Sequence, residues 1–202
     1  MKKFKLETPC MIKNLKDHKN IRDTLISLIK DTKADYLESN NEYFGDLIHR
    51  LDWNRSQDYS REWVKFVQPY LQKYFNECAS KLGYQKVNIS NIWFQQYNKK
   101  GRHGWHIHSE NYTGVYYVKF SSKDAKTELI DPFSQNKKII INAKEGDIVI
   151  FPSYVIHRAT EQQDDSEKII ISFNFNFDFI EPSLFKTIDN LKGKYYEWNK
   201  SK

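Results

Sequence analysis

Apolar positions recur with one period in the first third of the chain and with another after it. From Asn20 to Lys33, Ile21, Leu25, Leu28 and Ile29 fall at helical spacing, and Asn20 is placed to cap the first turn. From Ser60 to Leu82 a longer stripe of Trp63, Phe66, Val67, Tyr70, Leu71, Tyr74, Phe75, Cys78 and Leu82 predicts a second helix, stopped by Gly83 as its C′ residue. Pro69 inside that stripe predicts a kink or a fresh helix start. Both stripes are core faces built to lie on a sheet. Residues 3–9 read as a short strand limited by Pro9, and residues 34–58 are polar and broken by turns at Asn40-Asn41 and Gly45.

After Gly83 the period drops to two. Candidate strands run over 88–98, 104–109, 113–120, 126–131, 137–142, 147–151, 154–159 and 167–177, with turn signals such as Asp131-Pro132 and Glu145-Gly146 between them. Eight short strands behind a helical lead predict a mainly β, α+β chain with N-terminal helices. Its β part is expected to be a cupin-like jelly roll, or double-stranded β-helix, whose outer sheet face the two helices cover. No repeat or linker divides the sequence, so one domain over 1–202 is expected: a helical cover at 1–86, a jelly-roll core at 87–180 and a helical tail at 181–202.

Composition narrows the classes little. No apolar run approaches the 18 or more residues of a membrane span, and the N-terminus lacks the apolar stretch of a secretory signal. Cys10 and Cys78 have no metal-finger spacing, which suits a reducing cytoplasm. The net charge of +6 is scattered in short pairs such as Lys99-Lys100, so nucleic acid is a possible partner but not the favoured one.

The chemistry gathers around Trp105-His106-Ile107-His108-Ser109-Glu110. On an extended strand alternate side chains share a face, so His106, His108 and Glu110 would point one way, roughly 7 Å apart. A His-x-His pair alone also arises in polar loops. The third histidine, His157, follows a strand and turn, Gly146-Asp147 through Phe151-Pro152-Ser153, which gives it a defined place. The pair falls on the second of the eight strands and His157 on the seventh, two strands that can meet at the open end of a jelly roll. Three such side chains make an open metal site. On the last strand, Lys168, Ile170, Ser172, Asn174 and Asn176 share one face, and Ile169, Ile171, Phe173, Phe175 and Phe177 the other.

From Trp93 to Phe177 the chain resembles the Fe(II)- and 2-oxoglutarate-dependent oxygenases, most closely a branch found in marine bacteria and their phages. Trp93–Tyr97, the histidine pair with Gly114–Val118, Gly146–His157 and Lys168–Asn174 carry the likeness in order. The resemblance implies an oxidoreductase, a non-haem dioxygenase that consumes 2-oxoglutarate and O₂ and hydroxylates an unactivated C–H bond. It implies that His106, His108 and His157 hold Fe(II) and that Lys168 grips the distal carboxylate of 2-oxoglutarate, with Ser172 donating to the same carboxylate. Tyr97 and Tyr117, and Asn174 beyond them, would also contact the cosubstrate. The superfamily's usual triad has a carboxylate where His108 stands. Either the site is a three-histidine triad, or the register shifts to His108, Glu110 and His157; the position of Tyr97 relative to His106 favours the first. The departure leaves two alternatives open, a three-histidine cupin-type dioxygenase without 2-oxoglutarate and a non-catalytic jelly-roll binding module.

Of the neighbours, His103 is expected to line the entrance or be solvated, Arg158 to be structural, and Asp131 to make a turn or orient a ligand histidine. Loops 34–58 and 99–104 would rim the pocket with Trp53, Arg55, Lys99, Lys100 and Arg102, suiting an anionic small molecule, a peptide side chain or a nucleotide.

Overall fold

A computed structural model describes residues 7–39, 41 and 45–185. The elements run β1 (Met11–Asn14), α1 (His18–Asp31), β2 (Asp35–Glu38), β3 (Leu47–Leu51), a 3₁₀ turn (Trp53–Arg55) and α2 (Glu62–Lys81). They continue as β4 (Tyr84–Tyr97), β5 (His103–His106), β6 (Tyr112–Lys119), β7 (Thr127–Ile130), β8 (Lys138–Ile140), β9 (Asp147–Pro152), β10 (His157–Ala159) and β11 (Lys168–Ile180).

The strands form two antiparallel sheets, one of seven in the order β1-β9-β6-β11-β4-β3-β2 and one of four in the order β5-β10-β7-β8. This is the jelly-roll arrangement the strand pattern predicts. Strand alternation builds two cores from one sheet. Ile92 and Phe94 of β4, Ile148 and Ile150 of β9, and Ile169, Ile171, Phe173 and Phe175 of β11 pack outward on α1 and α2. Phe75 of α2 lies 4.6 Å from Phe173 and 5.1 Å from Phe175, ring centre to ring centre. The intervening residues Tyr97, Val115, Tyr117, Val149, Phe151 and Ile170 point inward and pack between the sheets with Leu129. Gly114 has to be glycine: a Cβ there would sit 2.6 Å from the Phe173 ring and 2.4 Å from the Val149 carbonyl oxygen.

Several expectations are corrected. The cap residue of α1 is Asp17, not Asn20, because the chain leaves β1 and turns into the helix three residues earlier. Pro69 neither breaks nor restarts α2: it lies on the exposed side, where water can serve the freed Lys65 carbonyl. Gly83 ends the helix with φ of +83°, as expected. Residues 7–10 are not a strand and 1–6 lie outside the described residues; the strand is Met11–Asn14, which pairs with β9. The unassigned stretch 34–58 supplies β2 and β3, so the first 86 residues add three strands to the large sheet besides covering it. Most of the expected tail, 186–202, also lies outside the described residues. Among the described residues no helix is long and apolar enough to cross a membrane.

A buried ion pair fixes α2 to β4. Asp52 accepts hydrogen bonds from Arg61, from Trp63 Nε1 at 3.0 Å and from the Phe94 amide at 2.9 Å, and Arg61 donates on to the Ile92 carbonyl at 2.7 Å. Removing one partner strands the other charge in the interior. Asp52→Ala should therefore lower unfolding stability by about 3–5 kcal/mol, measured by chemical denaturation.

Candidate metal centre

β5 and β10, the second and seventh strands of the jelly roll, pair directly, with His106 opposite His157. β5 ends at His106, earlier than the pattern predicts, so His108 is held by a loop: its amide donates to the Ser153 carbonyl at 3.1 Å. The ligand atoms of His106, His108 and His157 all lie within 4.8 Å of one another. Glu110, expected on the same face had the strand continued, falls in the bend after it, beside the Ser109 hydroxyl at 3.4 Å and outside this cluster.

Hydrogen bonds set the tautomers. His106 Nδ1 sits 2.7 Å from the Gly104 carbonyl and His157 Nδ1 sits 2.8 Å from the Val155 carbonyl. A carbonyl only accepts, so each Nδ1 carries the proton and each Nε2 keeps its lone pair. For His108 the partner is Asn174, 3.3 Å from Nδ1. The Thr113 hydroxyl lies 2.8 Å from the other end of that amide and 3.2 Å from the Phe173 carbonyl, and it has one proton. Thr113 donates to Asn174 Oδ1, and the Asn174 amide nitrogen donates to His108 Nδ1. Asn174, expected at the cosubstrate, thus orients His108. Burial pushes all three imidazoles down, His108 to about 4, and the neighbouring histidines push His108 and His157 further. The result is three neutral imidazoles brought together, the state that metal binding requires.

His103 is not solvated. Its ring stacks on His106 with centres 3.9 Å apart, and burial holds its pKa well below the usual range. Gln95 donates to His103 Nδ1 at 3.3 Å and accepts from the Ser172 hydroxyl at 3.1 Å. Ser172 is thus engaged with Gln95 and not held ready for a carboxylate. Sequence reasoning passed over Gln95, although it stands on the same inward face as Tyr97. Arg158 is structural, as expected: it pairs with Glu128 at 2.7 Å and lies 4.4 Å over the Trp105 ring. Asp131 orients no histidine; it accepts from the Phe133 and Ser134 amides of its own turn.

Deeper in the barrel, Lys168 is wholly buried opposite Tyr97 in the β4–β11 register. Its ammonium donates to the Ala125 carbonyl at 2.5 Å and lies between the rings of Tyr97 and Phe120. Burial pushes its pKa down to about 8, against a pull upward from Asp124. Tyr97 has a buried hydroxyl with no hydrogen-bond partner, whereas the Tyr117 hydroxyl is matched with Thr127 at 2.9 Å. A narrow cavity of about 30 Å³ connects the histidines with Tyr97, Thr127, Ile170 and Ser172. An orphaned hydroxyl beside a lysine with one acceptor fits a carboxylate.

Residues 91–174 match the sequence model of a family described as "Putative 2OG-Fe(II) oxygenase". None of the curated protein sequences compared with the chain matches it. Solved structures show the fold. A 2OG-Fe(II) oxygenase family oxidoreductase from Burkholderia pseudomallei is similar over 85% of this chain and 88% of its own, at 7% identity and a TM-score of 0.64. A Trichoplax adhaerens prolyl hydroxylase, in complex with a hypoxia inducible factor peptide fragment, is similar over 92% and 87%, at 16% identity and 0.60. HygX from Streptomyces hygroscopicus, with nickel and 2-oxoglutarate bound, is similar over 83% and 82%, at 9% identity and 0.56. The sequence match, over residues 91–174, and the shared fold make the chain similar to the Fe(II)- and 2-oxoglutarate-dependent oxygenases.

The carbonyl partners of His106 and His157 have a spectroscopic consequence. In ¹⁵N spectra of the metal-free protein both should show the Nδ1–H tautomer, and an Nε2–H signal for either would contradict the assignment.

Proposed function

We propose that His106, His108 and His157 hold the Fe(II), and that Lys168 and Tyr97 bind the distal carboxylate of 2-oxoglutarate. The whole chain then acts as one catalytic domain that hydroxylates a C–H bond of a substrate presented at the histidines. The observation that carries this reading is the set of three neutral imidazoles whose ligand atoms lie within 4.8 Å of one another. Glu110, the alternative ligand, lies outside that set.

Fe(II), with 2-oxoglutarate and O₂, supplies an oxidant able to break an unactivated C–H bond. The chain's own residues position and shield. The Gly104 and Val155 carbonyls and Asn174 fix the three rings, and such partners contribute about 10–100-fold to metal affinity in comparable sites. Phe151, edge-on to His157 at 4.8 Å, and Val115 and Ile170 wall the cavity with apolar surface. Lys168 would neutralise one carboxylate, and the carboxylate would relieve the buried ammonium, whose lone carbonyl partner leaves two of its protons unmatched. The Tyr97 hydroxyl would donate to the same carboxylate. Tyr117, already matched with Thr127, is a wall of this site and not a donor to it. A three-histidine dioxygenase without 2-oxoglutarate, or a binding module, would have no use for an interior cation beside an orphaned phenol. By analogy with the solved relatives, the substrate is a small molecule or a peptide side chain. The reducing cytoplasm, where two unpaired cysteines and Fe(II) persist, suits the enzyme.

The ligand set is checked by anaerobic Fe(II) titration. His106→Ala, His108→Ala and His157→Ala should each abolish tight binding, whereas Glu110→Ala should bind nearly as well as the unaltered enzyme. Loss of iron in Glu110→Ala with retention in His106→Ala would establish the shifted register.

Lys168 makes the cosubstrate site pH-dependent. A charge-assisted hydrogen bond contributes about 1.5–3 kcal/mol, so Lys168→Ala should weaken 2-oxoglutarate roughly 10- to 150-fold with iron affinity little changed. In the free enzyme the lysine loses its proton above about pH 8. The ammonium is the form that binds a carboxylate, so affinity should be level below pH 8 and fall above it. The visible charge-transfer band of the anaerobic complex measures both effects, and a flat profile from pH 7 to 9.5 would remove Lys168 from the site.

A further inference from the structure

Three of the four cations expected to rim the pocket are engaged elsewhere. Arg55 is held by Asp58 at 2.6 Å, Lys99 by Asp165 at 3.3 Å and Arg102 by Glu161 at 3.5 Å. Asn91, Ser109, Glu110 and Asn174 line one pocket beside His108, while a separate one bordering His106 and His108 is apolar, walled by Leu37, Ile48, Leu51, Trp53, Trp93 and Ile107. The two indoles form its corner. Trp53 stands edge-on to Trp93 with centres 4.5 Å apart, and Trp93 lies 5.9 Å from the His108 ring. A group lodged against that corner is therefore beside the proposed ligand set. The amide of Gln95, the one polar side chain in the lining besides histidines, is engaged with Ser172 and His103. Trp53 is 45% exposed and Ile107, between His106 and His108, is 57% exposed. Large apolar side chains left facing solvent around a concave site mark where a ligand buries them.

We infer that this pocket receives the group to be oxidised, and that the group is an uncharged hydrophobic ring or branched hydrocarbon of a small molecule. The inference rests on the histidines being the reaction centre. Charge selects the class. Neither a carboxylate nor a phosphate finds an unpaired cation among the lining residues, and an ammonium would be desolvated against six apolar walls for contact with neutral imidazoles. Size selects the source. The pocket's volume, about 280 Å³, lies at the small end of small-molecule sites and admits a single ring system.

The test uses one ring in three charge states: 2-naphthylmethanol, 2-naphthoate and 2-naphthylmethylamine. Each is titrated into the full chain and followed by calorimetry and ligand-observed NMR. The alcohol should bind about tenfold tighter than either ion. Trp53→Ala and Ile107→Ser, both at exposed positions, should each weaken it several-fold, and Arg102→Ala should leave it unchanged. Equal or tighter binding of the carboxylate or the amine would overturn the inference. So would absence of alcohol binding at millimolar concentration, or indifference to both Trp53→Ala and Ile107→Ser. A tighter hold on N-acetyl-Leu-Leu-Leu-amide than on the alcohol would overturn the small-molecule assignment. Succinate formation from 2-oxoglutarate is scored separately. Succinate with the charge order reversed defeats this inference alone, and no succinate with the order upheld defeats the proposed function alone.

Discussion

β11 is hydrogen-bonded along its length to β4 on one side and along its first half to β6 on the other, and its register decides what the interior contains. Its outward residues, Ile169, Ile171, Phe173 and Phe175, meet the helices, and that burial is the main force holding the strand in place. The inward residues follow without choice. Lys168 reaches the Ala125 carbonyl, Ser172 reaches Gln95 and through it His103, and Asn174 reaches His108. A slip of one residue would drive Lys168 and Asn174 into the helix interface and Phe173 into the cavity. The hydrophobic face thereby specifies the polar one, and the polar face positions the histidine loop.

The same logic explains how a loop residue completes the site. His106 and His157 are placed by direct strand pairing, but His108 lies beyond the end of β5. It is held at both ends, by its backbone on Ser153 and by its ring on Asn174, so two strands of the other sheet do the work of the missing ladder. Ile107 pays for this geometry by facing solvent between two histidines.

Much of this was legible because it is periodic. The change from a period of 3.6 to one of 2 after Gly83 marked both helices and all eight jelly-roll strands, and the spacing put the histidines on two strands that do meet. What was not legible depends on partners remote in sequence. β1 is four residues that become a strand on β9, and β2 and β3 attach to the far edge beside β4. Neither has enough alternation to declare itself. His103 lines the pockets as expected, but its stack on His106 and the part played by Gln95 were hidden: a histidine in a Gly-Arg-His-Gly loop and a glutamine in an aromatic strand reveal neither until their contacts are seen. The rim cations show the converse error. Arg55 and Arg102 read as ligand-binding charge until their acidic partners, three and fifty-nine residues away, are counted.

A triad of three imidazoles differs from one with a carboxylate in charge more than in shape. On the proposed ligand set the protein contributes no negative charge to a divalent metal, and Lys168 adds a positive one beside the Tyr97 ring. Glu110, the one acid nearby in sequence, lies outside the cluster. The compensation has to come from what binds. A dianion that spans from the metal to Lys168 meets positive charge at both ends, in a cavity whose walls, Val115, Ile170 and Phe151, screen poorly. Such a site holds its cosubstrate by electrostatics within the barrel and leaves the outer pocket, between Trp53 and Trp93, free to select by hydrophobic contact alone. On this proposal the histidines separate the two selections, a buried cation serving the cosubstrate and an apolar mouth the substrate.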